Sequence, residues 1–253
     1  MNILNQILNE KKIEVSQLNT SQLKNNNIKQ LSFLEKLSDQ KLKLIAEVKQ
    51  ASPSKGIIYQ NFNPIELATS FESHGASCIS VLTDQKFFKG HRDYLVNVKK
   101  HTSIPVLRKD FIIDLIQVDE TKDMGADVML LILDILSIDQ ANELIDKADQ
   151  MNIEVLIEIH SEKALEKLKD IKNKPLVGVN NRDLTTFTCD TNRSIQMSKD
   201  IRTLDPTIKV IAESGYSVPI EMEELENHHI NGVLIGEGLS KNKSLLEWFK
   251  NEN

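Results

Sequence analysis

Glu47 and Lys49 stand two residues apart at the end of an apolar run, within the stretch LKLIAEVKQASPSKG at residues 42–56. In a strand, positions i and i+2 project from the same face. A carboxylate and an ammonium therefore leave one strand end together. Opposite charges beside a buried run are costly unless they pair or do chemistry. Two roles fit them: a structural ion pair, or a proton-handling pair that grips an anionic substrate. The polar loop Ser52-Pro53-Ser54-Lys55-Gly56 that follows could meet such an anion. Comparable groups follow later apolar runs: Arg108-Lys109-Asp110-Phe111, Glu158 in VLIEIH, Asn180-Asn181-Arg182-Asp183, Glu213-Ser214-Gly215 and Gly236-Glu237-Gly238. Each has an ordinary explanation singly; their recurrence at run ends asks for a scaffold that makes run ends converge.

The elements supply one. Eight apolar runs, at 42–48, 78–82, 106–107, 128–132, 155–159, 176–179, 210–212 and 233–235, alternate with helical stretches near 64–74, 91–101, 114–123, 137–149, 161–171, 191–203, 217–227 and from about 240. Such alternation predicts βαβ units and a parallel sheet. Caps agree: Asn63-Pro64 with Glu66 opens one helix, and Ser137 with Gln140 has capping-box spacing. Gly75, Gly125 and Gly232 each stand between a helix and a strand, where a left-handed residue is wanted. A doubly wound open sheet is the rival arrangement, but no GxGxxG follows the first strand. The expected fold is α/β, a (β/α)8 barrel at 41–253 preceded by a helical extension at 1–40, together one domain over 1–253. In the extension Ile3, Leu4, Ile7 and Leu8 have helical spacing, Asn25-Asn26-Asn27 interrupts, and Leu31, Phe33, Leu34 and Leu37 form a second apolar face.

In a closed barrel of this kind the active site lies at the C-terminal mouth, and the loops after the last two strands commonly hold a phosphate. Ser214-Gly215 and Gly236-Glu237-Gly238 occupy those places. Composition narrows the partner. A net charge of -6 argues against nucleic acid as the main ligand. The 2 cysteines, Cys78 and Cys189, lack CxxC spacing and read as reduced thiols. The histidines show no HxH or HExxH pattern, so no metal is expected, and all 6 read as surface residues. No run reaches the length of about 20 apolar residues that a membrane span needs, and the N-terminus lacks a signal-peptide core. These features place the protein in the cytoplasm, acting on a small molecule.

At this level the motifs resemble the indole-3-glycerol phosphate synthase family of tryptophan biosynthesis. IAEVKQASPSKG, ISVLTDQKFFKG, IPVLRKDFIID, GADVMLLI, VLIEIH, GVNNRDLTTF, IAESGY and VLIGEGL occur in the family's order across residues 33–240. The resemblance implies a (β/α)8 barrel with its N-terminal extension over the mouth. It implies ring closure, decarboxylation and dehydration of 1-(2-carboxyphenylamino)-1-deoxyribulose 5-phosphate, without metal or organic cofactor, by a monomer or weak homodimer. By motif, Lys109 matches the general acid and Glu158 the general base. Lys49 and Glu47 match a substrate-gripping lysine and its supporting carboxylate, and Asn180 and Arg182 match residues that orient the reacting centre. Glu213 and Ser214 match further site residues. Lys49, Ser54, Gly215, Gly236 and the backbone of Glu237 align with phosphate-holding positions. Phe88, Phe111, Leu131 and Leu184 are candidates to pack the aryl ring. A lysine acid would benefit from neighbours or burial that lower its pKa. The loops depart from the pattern at Leu115-Ile116, Asp134 and His91.

Two rivals stay open on sequence alone. A phosphoribosylanthranilate isomerase would need a cysteine/aspartate acid–base pair where Glu47 and Lys49 stand. A non-catalytic barrel that binds a phosphorylated ligand would need neither Lys109 nor Glu158.

Overall fold

The computed structural model describes residues 3–19, 21, 23, 28–37, 41–53, 55–183 and 188–252. The Asn25-Asn26-Asn27 interruption, Ser54 and Leu184 lie outside the described residues. Eight parallel strands close into a barrel in sequential order: β1 Lys43–Val48, β2 Ala76–Leu82, β3 Val106–Lys109, β4 Val128–Ile132, β5 Glu154–Ile159, β6 Leu176–Asn180, β7 Lys209–Glu213 and β8 Gly232–Ile235, with β8 pairing back to β1. Every expected strand is present, within a few residues of its expected bounds. Among the described residues no helix is long and apolar enough to cross a membrane.

Alternation along the strands builds two cores. Leu44, Ala46, Val48, Val106, Met129, Leu131, Ile157, Val177, Val210 and Val233 face outward and are covered by helices. Ile45, Cys78, Leu107, Val128, Leu130, Leu156, Leu176, Ile211 and Leu234 fill the barrel interior. A strand buried on both faces needs apolar residues at nearly every position, which is why these runs read as continuous rather than alternating. The helices start where the local chemistry dictates. Asn63 accepts from the Ile65 and Glu66 amides, while Asp114 and Ser137 make capping boxes with Gln117 and Gln140.

One turn glycine departs from expectation. Gly75 and Gly125 have φ of +89° and +79°, but Gly232 begins β8 instead of a left-handed turn. His229, at φ +57°, makes the turn there, and a Cβ at Gly232 would press on Ile211 and the Lys43 carbonyl. Strand packing, not backbone conformation, requires that glycine.

The N-terminal extension is shared between the two ends of the barrel. The helix Ile3–Gln17 lies at the mouth, where Ile3, Leu4 and Ile7 face the cavity. Phe33 and Leu37, in and just after the short helix Phe33–Lys36, close the opposite end, so the extension does not lie wholly over the mouth as the resemblance implies. Glu154, the first residue of β5, accepts from Ser32 Oγ at 2.5 Å and from the Phe33 and Leu34 amides at 2.9 and 3.1 Å. One carboxylate thereby satisfies the open N-terminus of that helix.

Candidate active site

Parity places the charges. Glu47, Lys109, Glu158, Asn180 and Glu213 share strand faces with Ile45, Leu107, Leu156, Leu176 and Ile211, so their side chains turn inward at the mouth. They line a cavity of about 310 Å³, within the range of small-ligand sites. Lys109 Nζ lies 2.5 Å from Glu158 Oε2 and 2.7 Å from Glu213 Oε2, while Lys49 pairs with Glu47. Glu158 and Glu213 are both almost fully buried.

Missing side chains let these groups converge. Gly178 on β6 stands beside Glu158, and a Cβ there would overlap Glu213 Oε1. At Gly236, just after β8, a Cβ would overlap the Glu47 carboxylate and stand 3.2 Å from Lys49 Nζ. Both glycines keep room for charged groups.

Electrostatics orders the protonation states. Burial would lower the pKa of Lys109, but the carboxylates of Glu158, Glu213 and Glu47 outweigh it and hold the ammonium well above its ordinary value. The expectation of a lysine lowered toward neutrality is therefore reversed, because three carboxylates crowd the one ammonium. Burial would raise Glu158, yet Lys109 and His160 outweigh it and keep it well below the usual carboxylate range. Glu213 is driven the other way, by burial and then by the Glu158 charge, against the pull of Lys109. Two neighbouring carboxyls are thus pushed apart, one to the anion and one toward the acid.

The second wall is apolar: Ile3, Leu4, Ile7, Leu82, Phe88, Phe111, Leu130, Ile132 and Leu234. Phe88 and Phe111 stack at 6.1 Å between centroids with 36° between planes. Leu131 is not part of it. It packs outward among the helices, while its neighbours Leu130 and Ile132 point in. An all-apolar strand carries no sign of which face is inward, so sequence gave the element but not the parity.

The mouth is tied together by buried polar links. Lys11 of the N-terminal helix, 3% exposed, contacts Asp110 at 2.8 Å, Asp84 at 3.2 Å and Glu14 at 2.5 Å. Asp84 also caps the short helix Gln85–Phe88, which carries Phe88, through the Phe87 amide. Asp110 follows Lys109 directly and accepts from Thr83 Oγ1 and Arg108 Nη2 as well. Between the loops after β6 and β7, Asn181 donates to the Ser214 carbonyl and the Tyr216 hydroxyl. Asn180 accepts from the Arg182 amide. Ser214 and Gly215 both take left-handed backbone, φ +68° and +97°, and with Tyr216, Ser217, Gly236 and Glu237 they line the far end of the cavity. The Glu237 carboxylate is engaged by Lys241 Nζ at 2.5 Å, and that hydrogen bond holds its pKa down.

Of the sixteen site residues expected from sequence, Ser54 and Leu184 lie outside the described residues and Leu131 faces away. The other thirteen line the cavity. Residues missed by sequence reasoning also line it. His160 is 6% exposed and contacts Glu158, not a surface residue; its i+2 spacing from Glu158 was the available signal. In the sequence Lys241 shows only as part of a helix, and Ile3, Leu4 and Ile7 only as an amphipathic face. Among the described residues no group of three or more His, Cys, Asp or Glu is arranged to hold a metal ion.

Residues 4–251 match the family model described as indole-3-glycerol phosphate synthase. The chain belongs to that family. The indole-3-glycerol phosphate synthase of Bacillus pumilus (strain SAFR-032) is 40% identical over 245 residues, 96% of each chain. That of Priestia megaterium (strain ATCC 12872 / QMB1551) is 41% identical over 242 residues, covering 94% of this chain and 92% of the relative. Two solved barrels share the fold at lower identity. A 3-hexulose-6-phosphate synthase superposes with a TM-score of 0.66 at 13% identity, over 83% of this chain and 99% of its own. KGPDC from Streptococcus mutans gives 0.62 at 12%, over 83% and 96%. At that identity the likeness shows the fold alone. Across the indole-3-glycerol phosphate synthase family match, the chain runs from the helix at the mouth to the last helix of the barrel.

Proposed function

We infer that this carbon–carbon lyase converts 1-(2-carboxyphenylamino)-1-deoxyribulose 5-phosphate to indole-3-glycerol phosphate, with the residues of the mouth dividing the work. The observation that carries the division is one ammonium, Lys109, held between two buried carboxyls beside an apolar wall. In ring closure the arene carbon bearing the carboxylate attacks the ribulose carbonyl carbon. The carbonyl oxygen, becoming an alkoxide, takes a proton from Lys109. A firmly protonated lysine suits this step, because an alkoxide is a strong enough base to take its proton. The carboxylate then leaves as carbon dioxide and its bonding electrons restore the aromatic ring. In dehydration Glu158 removes the anilinic N–H proton while the hydroxyl departs as water, with a proton from an ammonium of the same site. A proton then passes from the ring CH2 carbon to nitrogen, and the C–H electrons close the indole double bond.

Around this centre, Lys49 supported by Glu47 grips the anionic end of the substrate, and Asn180 and Arg182 orient the reacting carbons. Glu213 and Ser214 complete the polar side, while Phe88 and Phe111 pack the aryl ring. The phosphate sits at the backbone of Gly215, Gly236 and Glu237. Folding a flexible substrate on itself makes positioning a large part of the rate. The reaction needs no metal or cofactor and takes place in the cytoplasm, on a monomer. Neither cysteine lines the cavity, which gives no support to a cysteine/aspartate isomerase.

Indole fluorescence after mixing the purified protein with the carboxyphenylamino-deoxyribulose phosphate tests the assignment. Wild type should give signal, and Lys109→Ala and Glu158→Gln should each lose about 10²-fold or more. Signal surviving in Lys109→Ala would move the acid to Lys49. No signal from folded wild type that binds the substrate would leave a binding protein.

A further inference from the structure

His160 makes two contacts that fix its proton count. Nδ1 lies 2.9 Å from the Arg182 carbonyl oxygen and Nε2 lies 2.6 Å from Glu158 Oε1. A carbonyl only accepts, so Nδ1 carries hydrogen. One further proton must then lie between Nε2 and the carboxyl. Lys109 Nζ sits 2.5 Å from the other oxygen of Glu158, which favours the carboxylate. The proton belongs on the ring.

We propose that His160 is a buried imidazolium that acts as a positioning residue for the base: it holds Oε1 of Glu158, aims Oε2 at the substrate, and ties β5 to the loop that carries Arg182. This rests on the reading of Glu158 as the base. The groups facing the pair come from every adjoining strand end. They are Lys109 at the end of β3, Asp134 after β4, Arg182 after β6 and Glu213 at the end of β7. Asp134 accepts from the His160 amide at 2.9 Å and from Ser161 Oγ at 2.6 Å, which anchors the turn. Burial would depress the imidazole, but the Glu158 carboxylate, the Arg182 carbonyl and Asp134 outweigh it and push its pKa up.

The arrangement leaves Glu158 between two cations before substrate arrives, which makes it a weak base. When the substrate oxygen draws Lys109 away, His160 alone remains on it. Basicity then rises at the stage when the anilinic proton must be removed, and the second cation keeps the carboxylate from turning.

Two measurements test the proposal. In 15N-histidine NMR of the wild-type protein, the His160 ring should carry hydrogen on both nitrogens and titrate above the ordinary value near 6.5. In steady-state kinetics, His160→Phe should lower kcat about tenfold or more with KM within about threefold. The acid limb of its kcat–pH profile should move up by about one unit, since the carboxylate loses one cation. His160→Asn, which keeps one donor without charge, should move both in the same direction by less. A neutral ring with an ordinary pKa overturns the proposal, as does an unmoved acid limb in either folded variant. If neither variant folds, the NMR state decides. Wild-type rates in Glu158→Gln would overturn the base reading and with it the positioning role, while the ring's protonation would still be read independently.

Discussion

Replacing Gly178 by alanine adds one methyl group at the point where the charge cluster is tightest. The new Cβ would overlap Glu213 Oε1 and lie 3.2 Å from its Cδ and 3.3 Å from Leu156 Cδ1. Leu156 is fully buried and Glu213 is 1% exposed, so neither has open space to retreat into. Glu213 must swing, and Lys109 then loses one of its two carboxyl partners and leans toward Glu158. Overpacking of this kind costs about 1–3 kcal/mol. In a chain of this size that lowers Tm by roughly 2–4 °C per kcal/mol. Displacing the acid by about 1 Å should cost up to about 10²-fold in rate. Calorimetry and initial rates of indole fluorescence should therefore show a lower Tm and a kcat down about 10- to 100-fold, with KM moved far less. Adding Glu213→Asp, one methylene shorter, should recover part of the Tm. A Gly178→Ala protein with wild-type Tm and kcat would refute the claim that this glycine makes room for the cluster.

Other outcomes follow from the same geometry. Lys11→Met leaves Asp84 and Asp110 buried without their ammonium, so it should cost about 3–5 kcal/mol at neutral pH, and the detached helix should raise KM; a melt and a substrate titration read both. Asp110 is held far below the usual carboxylate range because Arg108 and Lys11 outweigh burial. A depressed folded pKa adds stability above the unfolded value near 4, lost as pH falls through the folded value. Urea titrations should accordingly show a wild-type stability that declines below about pH 4, and a flatter acid limb in Asp110→Asn. Cys78 is sealed in the barrel with its thiol pushed up by burial, while Cys189 is exposed. Ellman's reagent should titrate one thiol in the native protein and both after unfolding.

Much of this protein is written in local pattern. Apolar runs of strand length, capped helices between them and a charged or amide residue at the run ends were enough to place eight strands and most of the mouth. The reason is physical: a charge at the end of a buried strand can only stand at an open end of the barrel, so residue type reveals position. The resemblance added roles to residues that spacing alone had already singled out.

Tertiary structure decided what pattern leaves degenerate. In VMLLI both faces are apolar, so only the pairing of β4 with its neighbours shows that Leu130 and Ile132 point in and Leu131 out. His160 follows Glu158 by two residues, but its burial depends on the Arg182 carbonyl arriving from a strand end 22 residues away. By its place between a helix and a strand Gly232 reads as a turn residue, yet it is the packing of Ile211 and the Lys43 carbonyl against it that requires glycine. The N-terminal segment could be read as two apolar faces, yet not as a cover at one end and a plug at the other. Sequence by itself determined which groups could do chemistry and on what scaffold; closure of the barrel decided their partners, because hydrogen bonds and charges act over a few ångströms and only the folded chain brings residues 47, 109, 158 and 213 that close.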